Sequence, residues 1–339
     1  MTLLITGATG FVMSVLTRHW LEADPSAQVV ALDSTTPDAT ATRYFASVAD
    51  RLKVVVADVT QPDSWVPLLQ GYGVTEVVHG ATVTPISRGT ADEAQHEPEA
   101  YNPGRIIDVN IMGTVALLDW ARTQPAVRRF LYVSSGSVYK HHGPDRPGEP
   151  LPEDGYVMPR RLYGISKFAS ELIAERYGDL FGLSTVAVRL SSVYGPMDRV
   201  TPSRNVRHPP NRIAHLCVAG APRVRVNSVA GVGDYIHAED AARAMTALLQ
   251  APALRHSVYN IASGITTTLE ELIAWAAIRA PGFHGEIVAA NEAELVQDDT
   301  LRDGMWGAYD ITRIIAETGW RPRPTKDAFL SYIDWLAAQ

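Results

Sequence analysis

Three residues near the middle of the chain have the types and spacing of an acid/base centre. Tyr163 and Lys167 are four positions apart, so on a helix their side chains share one face and come within reach of each other. A free phenol titrates near 10, too high for an efficient base at neutral pH. A neighbouring ammonium favours the phenolate, and bringing the phenol down by one pH unit takes about 1.4 kcal/mol of such interaction. Lys167 would supply that field. A bare Tyr-x-x-x-Lys match also describes a surface tyrosine beside a solvated lysine, and Ser135 sets this one apart. It leaves the end of an apolar run, residues 129–133, where its hydroxyl could hold the oxygen being oxidised or reduced.

Such a centre needs a redox partner, and the N-terminus offers a place for one. Residues 1–6 are apolar and stop at Gly7-Ala8-Thr9-Gly10, and residues 11–21 are amphipathic, so the pattern predicts a buried strand, a glycine turn and a helix. Unpaired N–H groups at a helix N-terminus carry partial positive charge, and glycines let a pyrophosphate approach them. A Gly-x-x-Gly turn can also be only a tight connection. Here Asp33 ends the next apolar run at about the 20-residue offset at which an acid holds a ribose. The third position of the turn, where a further glycine would let the helix pack on the strand, is Met13. It is expected to push the helix outward or to require a small facing residue.

Apolar runs alternate with helical periodicity through the first 190 residues, ending near Ala57, His79, Val133 and Leu190. The fold class expected is α/β, a doubly wound parallel sheet of Rossmann type with a smaller C-terminal substrate lobe. Residues 1–190 form the cofactor domain with the catalytic helix. Residues 191–339 form mainly the substrate lobe, interleaved with the first. The helix expected over residues 161–181 carries Tyr163 and Lys167, and that over 106–123 carries Asn110. Residues 85–103 and 140–158 read as polar, proline-rich excursions.

A net charge of −7 argues against a nucleic-acid partner or a polybasic membrane surface, and no apolar run reaches spanning length. With no basic leader before the first strand, a cytoplasmic location is expected. The single cysteine, Cys217, reads as a buried small hydrophobe. His141-His142 lacks the carboxylate or His-x-x-x-His company of a metal site, so no metal is expected.

Taken together, Thr6–Gly10, Asp33, Asp58-Val59, Asn110–Thr114, Ser134–Tyr139, Tyr163–Lys167, residues 189–196, residues 234–240, residues 259–264 and Gly319–Pro322 resemble in order the motifs of extended short-chain dehydrogenases/reductases. The NAD-dependent epimerase/dehydratase group is the nearest match. The resemblance implies Tyr163 as acid/base, Ser135 orienting the substrate oxygen, Lys167 on the nicotinamide ribose, and Asn110 lining the same site. It implies Gly7, Gly10, Phe11 and Val12 at the pyrophosphate, Asp33 with Ser34 at the adenosine ribose, and Asp58 and Val59 at the adenine. Ala81 lies beside the cofactor, with Leu190 and Ser191 at its nicotinamide end. Asp33 favours NAD over NADP, because its carboxylate would repel a 2′-phosphate; Arg43 is the only nearby cation. A homodimer through the helices of 106–123 and 161–181 is implied by the same resemblance.

Two departures bear on the substrate. Nucleotide-sugar members usually have asparagine where this chain has Ser192, and arginine where it has Gly233. Losing that arginine removes a charge-assisted phosphate contact of about 1.5 to 3 kcal/mol. A smaller substrate without a nucleotide follows, bound by Thr82, Ser135, Ser192, Arg204 and Arg207. Arg199, His208, Arg212 and Lys140-His141-His142 are further candidates for an anion. The expected activity is NAD-dependent oxidation of a secondary alcohol on a sugar, sugar acid or hydroxy acid. A cofactor-retaining epimerase or dehydratase is the alternative, and a non-catalytic NAD-sensing scaffold is a remote one.

Overall fold

Five consecutive buried residues, Thr2–Thr6, form β1, and strands flank it on both sides. β2 (Gln28–Asp33), β3 (Leu52–Val56), β4 (Val74–His79), β5 (Arg129–Ser135), β6 (Thr185–Leu190) and β7 (Val258–Ile261) complete a seven-stranded sheet. Its order is β7-β6-β5-β4-β1-β2-β3, and every pairing is parallel. The computed structural model describes residues 1–85, 98–139, 149–201, 204, 207–296 and 307–339.

Side chains alternate across this sheet as the strand period requires. Leu3, Ile5, Val29, Ala31, Leu131, Val133, Val186 and Val188 face one way, onto α1 (Phe11–Ala23) and α6 (Ala238–Gln250). Leu4, Val30, Leu32, Val77, Phe130, Tyr132 and Ala187 face the other, onto α3 (Gly113–Ala121) and α4 (Leu162–Phe181). A parallel strand buried on both faces needs an unbroken apolar run, which is why these runs stand out in the sequence. The chain reverses its strand order between β1 and β4. That reversal opens a crevice outside their carboxyl ends, where ligands of such sheets bind.

Past residue 190 the chain both rejoins the sheet, through β7, and builds a separate core. The latter packs α5 (Pro209–Val218), α7 (Leu269–Arg279) and α8 (Thr325–Ala337) around Ile213, Cys217, Val224, Leu272, Phe329 and Tyr332. A parallel pair of Arg223–Val226 with His284–Ile287 lies in the same lobe.

Where one helix was expected over 106–123, the chain forms a short helix Pro103–Ile107, a π turn Asp108–Met112 and then α3. The buried Asn110 side chain explains the break. Its Oδ1 accepts from Val83 N–H at 2.7 Å and its Nδ2 donates to Ser166 Oγ at 2.9 Å. Its carbonyl accepts from Thr114 Oγ1 and Ser170 Oγ. π turns of this kind gather at functional positions.

Candidate active site

At the crevice, Gly7 has φ +68°, and a Cβ there would lie 2.9 Å from Ala81 N. The position therefore requires glycine twice over, for its left-handed backbone and for the closeness of the β4 turn. Thr6 Oγ1 accepts from Gly80 N–H and Ala81 N–H, at 3.2 and 3.1 Å. Having spent its lone pairs, that hydroxyl donates to His79 Nδ1 at 2.7 Å, so His79 Nε2 donates to Thr114 Oγ1 at 3.0 Å. Burial holds His79 at about 3, hence neutral, with the Lys167 charge acting the same way. The N-cap Gly10 offers no side chain to the first turn of α1, which leaves that helix end to a ligand.

Asp33 is half-buried and braces the glycine turn: its Oδ2 accepts from Thr9 N–H at 2.9 Å and from Thr9 Oγ1 at 2.7 Å. Asp58 accepts from Thr60 and pairs with Arg105 at 2.6 Å. Burial works against its charge, but these partners hold its carboxyl below the ordinary value. Thr82 has a buried hydroxyl with no hydrogen-bond partner among the described residues. A helix end without a cap, a turn that a Cβ would fill and an acid one strand away fit the pyrophosphate and ribose of NAD.

β5 delivers Ser135 and α4 delivers Tyr163 and Lys167 to one edge of the sheet. The Ser135 hydroxyl lies close enough to the Tyr163 phenol to favour its ionised form. Lys167, 2% exposed, donates from Nζ to Val133 O at 2.8 Å and lies 5.8 Å from the Tyr163 ring centre. Burial lowers the lysine to about 7, against the pull of Glu171 one turn on. Burial also pushes the Tyr163 hydroxyl above its ordinary value, countered by Ser135 and by the charge of Arg204. Arg204 thus joins Lys167, the cation expected from sequence, on the side of the phenol. Behind the site, Glu171 pairs with Arg189 at 2.7 Å, both almost wholly buried, and hydrogen-bonds Ser134.

Arg204 arrives from a strap that leaves the strand Ser192–Tyr194 through Gly195, at φ +140°, and Met197, a non-glycine at φ +68°. Its guanidinium lies 4.7 Å over the Phe11 ring and donates from Nε to Asp198 Oδ1 at 3.0 Å. Arg199 of the same strap pairs with Asp38, the cap of α2 (Ala39–Phe45), at 2.7 Å. Arg207 acts electrostatically on Asp198. Lys140, His141 and His142 lie outside the described residues.

Sequence reasoning gave no role to Asp234, which is 3% exposed and accepts from Ser191 Oγ, Ser263, Gly264 N–H and Tyr309 N–H. It knits the loops beneath Leu190 and Ser191. Ser192 pairs with Tyr235 between short strands. The Tyr235 ring also occupies the place of a side chain at Gly233, where a Cβ would lie 2.5 Å from its Cζ.

The NAD dependent epimerase/dehydratase family model matches residues 3–262. The chain is 28% identical over 328 residues to a UDP-glucose 4-epimerase of Mycolicibacterium smegmatis, covering 95% of this chain and 94% of that protein. It is 27% identical over 355 residues to a dTDP-glucose 4,6-dehydratase of Streptomyces antibioticus, covering 99% and 92%. It also resembles trifunctional UDP-glucose 4,6-dehydratase proteins of Arabidopsis thaliana at 26% identity, spanning only 36% of their length. The fold matches a UDP-glucose 4-epimerase structure from Thermotoga maritima with a TM-score of 0.77, at 19% identity over 100% of this chain and 99% of that one. With a motif-bearing sheet of seven parallel strands and a family match across most of its length, the chain belongs to the NAD dependent epimerase/dehydratase family, and NAD is its cofactor.

Proposed function

We propose that the chain is a cofactor-retaining sugar epimerase, working by transient oxidation of a secondary alcohol. The observation that carries this reading is the convergence of Ser135, at the end of β5, with Tyr163 and Lys167 of α4, Lys167 being anchored to Val133 O at 2.8 Å and lying 5.8 Å from the Tyr163 ring centre. The bound NAD supplies a hydride acceptor in one direction and a hydride donor in the other. Tyr163 Oη takes the proton of the substrate hydroxyl and later returns one to the same oxygen. Ser135 hydrogen-bonds that oxygen throughout, including while it is a carbonyl. Lys167, anchored to Val133 O, holds the tyrosine's side of the site in register and carries its charge when protonated. Hydride returned to the opposite face of the carbonyl would invert the carbon and leave no net NADH.

The family membership and the relatives favour this redox-neutral reading over the net oxidation expected from sequence. Epimerisation is favoured over dehydration because elimination needs a second acid/base for the neighbouring carbon and leaving group. The two residues after Ser135 are Gly136 and Ser137. The strap carboxylate, Asp198, is occupied by Arg204.

For the substrate, Arg204 offers a cation over the Phe11 ring whose charge also acts on Tyr163, while Gly233 with Tyr235 offers none. We therefore assign Arg204 to an anionic group on the sugar, a carboxylate or phosphate. The test is ¹H NMR of the NAD-loaded enzyme with uronic acids, sugar phosphates and UDP-sugars, with absorbance at the NADH band followed in parallel. Epimer formation without net NADH, lost in Tyr163→Phe, supports the reading. Stoichiometric NADH with any of them replaces it by a dehydrogenase, and turnover confined to UDP-sugars moves the anion site away from Arg204.

The π turn and α4 also leave Met112, Ile165, Leu172, Leu180 and Phe181 exposed, each by 40% or more. That apolar face supports a homodimer formed through these helices, which light scattering of the purified protein would test.

A further inference from the structure

We propose that Met13 and Gly80 are a size-exchanged pair across the seam between α1 and β4. In that role Gly80 is a positioning residue for the cofactor's pyrophosphate turn. Met13 sits in the first turn of α1, 4% exposed, at the position where a glycine ordinarily lets the helix close on the sheet. The helix here closes without it because the facing residue has given up its side chain. A Cβ on Gly80 would lie 2.5 Å from both Cγ and Sδ of Met13, and 3.1 Å from Thr6 O. Gly80 is not among the positive-φ residues, so its backbone does not call for glycine; the Met13 side chain does.

The seam is tight at its other end too, where a Cβ on Gly7 would meet Ala81 N at 2.9 Å. Gly80 and Ala81 both donate to Thr6 Oγ1. The turn is tied into the helix through Gly10 N–H to Gly7 O at 3.0 Å and Ser14 N–H to Gly10 O at 2.9 Å. Met13 lies inside that hydrogen-bonded ring. Any side chain added at residue 80 therefore pushes on the segment whose backbone donors face the pyrophosphate. Misplacement of such donors by about 1 Å costs binding geometry steeply.

The test is a double-mutant cycle on NADH affinity, read by fluorescence titration below the melting temperature, with thermal melting in parallel. Wild-type binding is the control for the cofactor assignment itself, and the cycle tests the seam alone. Gly80→Ala is expected to weaken binding about tenfold or more, and Met13→Ala about fivefold or less. Met13→Ala/Gly80→Ala should return to within about threefold of wild type, since the two closest contacts, to Met13 Cγ and Sδ, are then gone. If Gly80→Ala does not yield folded protein, the double variant decides: folded and binding NADH near the wild-type level supports the pair. Additive losses in the double variant, a double variant that does not fold, or unchanged affinity in folded Gly80→Ala would each overturn it.

Discussion

Ser135, Tyr163 and Lys167 are carried by a strand end and a helix and are locked from behind. Arg199 and Arg204 are carried by a turn and held mainly at their tips. Behind the first group stand Glu171, Arg189, Ser134 and Asn110, all almost wholly buried and hydrogen-bonded to one another or to backbone. The second group has Asp198, Asp38 and the Phe11 ring. The proposed acid/base centre therefore tolerates little displacement, while the cation proposed to meet the substrate can be re-aimed by changes in a short strap. A family that varies its substrate while keeping its redox chemistry needs that division, because secondary structure supplies a fixed geometry and loops supply a variable one.

The largest effect that would sharpen the contrast is on the locked side. Tyr163→Phe is expected to reduce kcat by about 10²- to 10⁴-fold with NADH affinity unchanged, measured by steady-state kinetics and fluorescence titration. Next, Glu171→Gln leaves Arg189 as a buried cation short of its partner and weakens the hold on Ser134. Breaking a buried pair in this way costs about 3–5 kcal/mol, to be read as a lowered urea midpoint.

On the strap side, Arg204→Ala is expected to raise the substrate KM by about 10- to 100-fold, the equivalent of one charge-assisted contact. Its Asp198 partner is buried, so the urea midpoint should fall as well, but by less than in Glu171→Gln, because burial already pushes the Asp198 carboxyl towards its neutral form. A loss as large as that of Glu171→Gln would break the comparison, because it would make Arg204 structural.

A pH titration reads the packing around both regions. Burial holds His79, beside the glycine turn, and His237, the N-cap of α6, at about 3 in the folded chain, below the unfolded value of about 6.5. Below that unfolded value the unfolded chain binds protons that the folded chain refuses. Stability is therefore full above about 6.5 and falls with pH by up to about 1.4 kcal/mol per pH unit for each histidine, measured as urea unfolding at several pH values. Replacing His79 with Gln should flatten that slope. The smallest effect is expected from Asp38→Asn, which keeps the cap on Ala41 but loses the ion pair to Arg199. An exposed pair of this kind is worth about 1 kcal/mol or less, so activity should stay within about a factor of five.

Met13 shows how far a motif can be read. Its spacing from Gly7 and Gly10 marks it as the odd residue of the turn and states what must compensate, a small neighbour. Nothing in the spacing says that the neighbour is Gly80, because the two are brought together only by β4 pairing beside β1. Asn110 is similar. Its position inside a helical run was visible, but the π turn that frees its carbonyl for Thr114 and Ser170 depends on contacts with Val83 and α4.

By itself the sequence determined the parallel sheet, the glycine turn, the four-residue spacing of Tyr163 and Lys167 and the family. Each of these is written in short-range terms: apolar runs, i to i+4 spacing, glycines beside a strand end. Only the tertiary structure decided that Arg204 reaches across to Phe11, that Tyr235 fills the space over Gly233, that Asp234 gathers three separate segments, and that Gly80 makes room for Met13. Those arrangements join residues far apart in the chain, where the deciding quantity is a distance in space, and no local pattern encodes it.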